Sequence, residues 1–133
     1  MPATGKVVLD TSVVVAVLRR VPGLREQLRS AEELLVPLVA LGELEYGVNL
    51  ATPSERQREA VRTFMESATL LLPTARTAVE YGRIKAALKA AGTPLPDNDV
   101  WIAAFAVEHS LPLTATRDEH FARVPGLTVL DWR

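Results

Sequence analysis

The sequence predicts an α/β fold: a central, mostly parallel sheet with helices on both faces. Three observations carry this expectation. Short β-branched or leucine-rich runs recur along the chain, each the length of a buried strand. Between them lie stretches with helical spacing, long enough for the crossovers that parallel strands require. The 133 residues are 48% hydrophobic and 23% charged, which suits one domain, residues 1–133, with a sizeable core.

The first strand is Lys6–Leu9, K-V-V-L, and it ends in Asp10. Thr11 and Ser12 then open a helix over Val13–Arg19, with Asp10, Thr11 or Ser12 available as its cap. Pro22–Ser30 reads as a second short helix, with Arg25 and Arg29 one turn apart on a solvated face. Leu34–Pro37 is the second strand. The helix after it, Leu38–Asn49, carries an apolar stripe of Leu41, Leu44 and Val48. Glu43 and Glu45 flank that stripe on opposite sides, and periodicity does not say which one faces inward. Gly47, one turn after Glu43, would let another backbone approach closely.

Pro53–Ser67 is a charged amphipathic helix that Ser54 can cap; Val61, Phe64 and Met65 face the core, and Arg56, Arg58 and Arg62 form a solvated face. Thr69–Leu72 is the third strand. The longest helix, Thr74–Ala91, has Ala78, Tyr81, Ile84, Ala87 and Leu88 at helical spacing, and Gly92 is its expected end. Pro96 marks entry to a helix that runs to about His109 and is apolar almost all the way round, so it is buried on most sides. Asp97 or Asn98 can cap it. Asp99 shares a face with Ile102, Ala103 and Ala106, and a carboxylate leading an apolar face needs a cation or a set of donors. Leu113–Thr116 is the fourth strand, Asp118–Ala122 a helical turn with His120 exposed, and Leu127–Leu130 a last strand.

Composition narrows the function. There is no cysteine, hence no disulfide framework and no thiolate metal site. No apolar stretch reaches the ~20 residues of a membrane helix, and the N-terminus lacks the form of a signal peptide, so a cytoplasmic protein is expected. With a net charge of −1 there is no global basic field. A polyanionic substrate would have to be met by local arginines or a metal.

In parallel sheets, ligands sit beyond the carboxyl ends of the strands at the topological switch point. Asp10 and Asp118 each follow a strand, and Asp99 starts the helix before the fourth strand. If the first and fourth strands are neighbours, the three acids converge. Two carboxylates ~5 Å apart repel by roughly 3 kcal/mol at an effective dielectric near 20. The simplest role for such a cluster is to hold a hard divalent cation, Mg²⁺ or Mn²⁺.

Four blocks extend this reading: V-L-D-T-S at Val8–Ser12, G-E-L-E-Y-G at Gly42–Gly47, P-D-N-D-V-W-I-A-A at Pro96–Ala104 and T-R-D-E-H-F at Thr116–Phe121. Together, and in this order, they resemble the PIN-domain ribonucleases, most closely the VapC-type toxins of toxin–antitoxin pairs. The resemblance implies a three-layer α/β/α sandwich and a metal-dependent endoribonuclease whose products carry 5′-phosphate and 3′-hydroxyl ends. It selects Glu43 over Glu45, and it aligns Asp10, Glu43, Asp99 and Asp118 with the four acids that hold Mg²⁺ or Mn²⁺. Asp97 falls where the family accepts an acid beside the site. Ser12, Asn98 and Thr116 match supporting polar positions, and Arg117 lies where it could contact a phosphate. A cognate VapB-type antitoxin, an RNA substrate and a homodimer are further implications. Two alternatives differ in class: an inactive PIN-like module that binds RNA or protein, and a phosphotransferase using Asp10 as nucleophile. The latter wants a second Asp two residues on, where Ser12 stands.

Overall fold

The computed structural model describes residues 5–116 and 118–132. Its five strands are β1 (Lys6–Leu9), β2 (Glu33–Pro37), β3 (Thr69–Leu71), β4 (Leu113–Ala115) and β5 (Val129–Asp131). They form one sheet in the order β3-β2-β1-β4-β5. All four pairings are parallel, so the expected mostly parallel sheet is parallel throughout. The chain steps from β1 out to β2 and β3, then returns to the other side of β1 to lay down β4. The β1–β4 boundary is therefore the switch point, and Val8 and Leu9 pair there with Leu113 and Thr114.

Among the described residues seven helices connect these strands: α1 (Thr11–Leu18), α2 (Leu24–Arg29), α3 (Leu38–Leu50), α4 (Glu55–Glu66), α5 (Ala75–Ala91), α6 (Asp97–Glu108) and α7 (Asp118–Phe121). The central strands are buried over most of their length, with Val7, Val8, Leu9, Val36 and Leu113 at the centre of the core. That is the pattern of strands covered on both faces. α6 buries Val100 and every residue from Ile102 to Ala106, as its all-round apolar composition requires.

Several local expectations change. Asp10 is the cap of α1, so the helix starts at Thr11 and not at Val13. α2 is shorter than expected because Gly23 precedes it in the left-handed region, at φ 88°. Ser54 sits at the start of α4 but makes no side-chain capping bond, since its backbone is already helical there. No atom lies within 4 Å of where a Gly47 Cβ would stand, so that glycine serves no close approach. The last strand is displaced to Val129–Asp131.

α5 buries Ile84 and Leu88 and half-buries Tyr81 and Ala87, as its apolar residues suggest, but polar residues take the inward positions in its first two turns. Ala78 is exposed, while Thr77 and Glu80 are buried beside Ile84 and Leu88. Both polar groups have partners. The Thr77 hydroxyl donates to Glu108 on α6 and accepts from the backbone N–H of Thr74 at 2.9 Å, and Arg83 pairs with Glu80. Thr74 in turn donates to Glu108 at 2.8 Å, which ties the start of α5 to the end of α6. Buried polar groups that are fully bonded cost little, so polarity alone does not keep them outside. Gly92 ends α5 at φ 72°, a conformation that glycine adopts without strain.

Candidate metal centre at the switch point

The carboxyl ends of β1 and β4 open onto a cleft of about 540 Å³. Asp10, Glu43 and Asp99 all line it, joined by Thr11, Ser12, Thr116 and His120. Each acid arrives from a different element. β1 delivers Asp10, the second turn of α3 delivers Glu43, and the first turn of α6 delivers Asp99. The neighbour relation of β1 and β4 brings the first and third together, as the sequence argument requires.

Hydroxyl groups hold two of the acids. Ser12 Oγ donates to Asp10 Oδ2 at 2.6 Å, and the Ser12 backbone N–H reaches the same oxygen at 3.3 Å. Ser12 Oγ also accepts from the Thr116 backbone N–H at 3.3 Å, which latches the end of β1 to the end of β4. Thr11 Oγ1 donates to Glu43 Oε1 at 2.6 Å and so fixes the glutamate that periodicity left open. Glu45 turns away and pairs with Arg58 at 3.4 Å.

Two of the carboxyl groups, Asp10 and Asp99, are shifted by burial and by acidic neighbours. Burial pushes the Asp10 carboxyl up; hydrogen bonds from Ser12 and Thr11 oppose that, and the charge of Glu43 adds to it. The Asp99 carboxyl is pushed up to about 6, first by burial and then by the charges of Asp10 and Glu43, with His120 opposing. Burial and a like charge nearby each favour the neutral form of a carboxyl group.

The donor set suits a hard divalent cation: three carboxylates from separate elements, oxygen only, with two pinned by hydroxyls. Among the described residues no three His, Cys, Asp or Glu side chains already stand close enough to share one ion. The expectations for Arg117 and for the Asp118 side chain lie outside the described residues; the Asp118 backbone opens α7 directly after β4.

Three expectations are corrected. Neither Asp97 nor Asn98 caps α6: the residue at the cap position is Pro96, and no side-chain capping bond forms. Asp97 instead accepts from Lys85 at 2.7 Å and from Tyr81 at 3.0 Å, both on α5, and these bonds hold its carboxyl below the usual range. Lys85 and Tyr81 outcompete the local backbone for it. The Tyr81 ring also stacks on Trp101 at 3.9 Å, so one face of the first two turns of α6 is clamped to α5. Asp97 and Asn98 are exposed and are not among the residues lining the cleft. His120, expected to be exposed, is half-buried and lines the cleft. It was missed because a four-residue turn has no periodicity to read, although its place two residues after Asp118 is a clue. Thr11 was weighed only as a cap; its side chain belongs to the cleft.

If Asp97 stands outside the site, Asp97→Asn leaves any activity of the cleft near wild type. A kinetic comparison of the two proteins checks this, and a collapse in activity would move Asp97 into the site.

A larger groove of about 990 Å³ runs past α2 and α4 and is lined by Arg25, Arg56, Glu59 and Phe64 among others. None of the clustered acids reaches it, so the chemistry belongs to the smaller cleft.

A family model described as the PIN domain matches residues 7–127. The chain belongs to the PIN-domain family. Within the PIN domains it is similar to Ribonuclease VapC2 of Haemophilus influenzae, at 31% identity over 129 residues, covering 96% of this chain and 98% of that protein. It is 28% identical to the tRNA(fMet)-specific endonuclease VapC of Salmonella typhimurium, with the same coverage. Among solved structures, DNA-bound VapBC from Salmonella typhimurium superposes with a TM-score of 0.92 at 28% identity, covering 96% of this chain and 98% of that one. These likenesses place the chain with the VapC proteins, and the parallel five-stranded sheet between helices is the PIN arrangement. No helix among the described residues is long and apolar enough to cross a membrane.

Proposed function

We propose that this PIN domain is a divalent-metal-dependent endoribonuclease, a VapC-type toxin restrained by a cognate VapB-type antitoxin. The observation that carries the reading is the convergence of Asp10, Glu43 and Asp99 on one cleft at the switch point. The names of the VapC relatives support RNA as substrate, and the VapBC complexes among the solved likenesses support an antitoxin partner.

Asp10, Glu43 and Asp99 hold Mg²⁺ or Mn²⁺ together with Asp118, which the family motif assigns to the same set. A bound divalent ion lowers the pKa of water and offsets charge that develops on the phosphate during hydrolysis. The chain's own residues prepare the site for this. Ser12 and Thr11 each fix one oxygen of an acid, so Asp10 and Glu43 spend little conformational freedom when a cation arrives. Ser12, bonded also to the Thr116 backbone, keeps the two strand ends in register beneath the cleft. The reaction adds water across a phosphodiester and leaves a 5′-phosphate and a 3′-hydroxyl. The homodimer implied by the family belongs to the same reading.

Expression in a bacterial host tests the biology. The chain alone arrests growth, and co-expression with the antitoxin encoded beside it restores growth. Normal growth with the chain alone, at confirmed expression, would contradict the toxin assignment.

A further inference from the structure

The cleft has a second end that the metal centre does not use. α1 forms one wall, with Thr11, Val15 and Arg19 four residues apart along a single ridge, and all three line the cleft. Thr11 stands at the acid end, on Glu43. At 1.5 Å per residue, Arg19 lies about 12 Å further along the helix axis. Between them Val15 and Ala16 give the wall an apolar strip.

Among the described residues Arg19 has no ion-pair partner. Arg29, Arg58, Arg62 and Arg83 each pair with a glutamate; of the described arginines without such a pair, Arg19 is the one that lines this cleft. Among the described residues no carboxylate pairs with Arg19, although it shares a cleft with three of them. A cleft acidic at one end and carrying a free guanidinium at the other suits an extended polyanion better than a single ion.

Resting on the ribonuclease reading, we infer that Arg19 is a substrate-binding residue. It grips an RNA phosphate flanking the cleaved linkage while the intervening nucleotide lies along Val15 and Ala16. A guanidinium forms paired, charge-assisted hydrogen bonds to phosphate, and backbone contacts of this kind set register without reading sequence. The cut linkage is thereby delivered to the acids at a fixed offset.

The test compares wild type, Arg19→Ala and Arg19→Lys on a long single-stranded RNA and on a dinucleotide too short to span both ends. Cleavage is followed with excess Mn²⁺. Binding of the long RNA is measured separately by anisotropy, without divalent ions, over a range of monovalent salt. On the long RNA, Arg19→Ala raises KM about tenfold, the loss of one charge-assisted contact, and leaves kcat within about twofold. The slope of log affinity against log salt falls by about 0.7, the contribution of one phosphate contact on a single strand. Arg19→Lys recovers the slope and part of the KM. On the dinucleotide the three proteins are alike. An unchanged KM and salt slope in an active Arg19→Ala would overturn the inference while leaving the nuclease reading intact. So would an equal loss on the dinucleotide. A wild-type protein that neither binds nor cleaves RNA would remove the ribonuclease reading itself.

Discussion

Asp99→Asn makes the metal-free protein more stable at pH 7 and abolishes its nuclease activity. The two effects have opposite signs and one cause. In the fold the Asp99 carboxyl is pushed up to about 6 by burial and by its acidic neighbours, whereas in an unfolded chain it titrates near 3.9. Between those values the folded state binds more protons than the unfolded one. The stability associated with this group is therefore complete below about pH 4 and is lost as pH rises through about 6. Asparagine cannot ionise and avoids that loss. The side chain is half-exposed, so solvent screening reduces the gain to about 1 kcal/mol at pH 7, with no gain at pH 4. Asp10, also raised by burial and by Glu43, adds to the same pH trend in the wild type. Metal-free melting curves at the two pH values check the sign. A variant that is less stable at pH 7 would mean that Asp99 is held by favourable contacts and not by a cation it awaits.

Divalent ions raise the melting temperature of the wild-type protein steeply. An ion that binds only the folded state contributes about 2.7 kcal/mol at a hundredfold excess over its Kd. For a chain of this length that corresponds to roughly 10 °C. The ion removes the repulsion that the three acids otherwise impose on one another, so the shift is larger at pH 7 than at pH 5, where Asp99 is mostly protonated. In Asp99→Asn the shift shrinks, because one anionic ligand is gone. Thermal melts with Mn²⁺, Mg²⁺ and a chelator check this. No shift with either ion at pH 7 would count against the acid cluster as a metal centre.

Much of this site was legible because it rests on topology. Acids placed at strand ends and at the first turn of an all-apolar helix have little freedom, and once β1 and β4 are neighbours Asp10 and Asp99 must meet. Glu43 was different: a stripe with acids on both sides is symmetric to periodicity, and only the family motif chose between them. The Thr11 hydroxyl and the Arg58 side chain supply the physical asymmetry in the structure. The errors share another origin. The first two turns of α5 were misread because Thr77 and Glu80, polar by type, are made tolerable in the interior by Glu108 and Arg83, partners far along the chain or invisible to a binary pattern. Asp97 failed as a cap for the same reason, since Lys85 and Tyr81 on a neighbouring helix claim it. His120 sits in a turn too short for any pattern, and its place in the cleft follows from where α7 docks.

The most direct test of the central claim is a cleavage time course on single-stranded RNA with excess Mn²⁺, run side by side for wild type, Asp99→Asn and wild type with chelator, with the product ends mapped. The account predicts internal cleavage by wild type alone, with 5′-phosphate and 3′-hydroxyl ends. Cleavage by Asp99→Asn at near the wild-type rate, or undiminished cleavage in chelator, would contradict it.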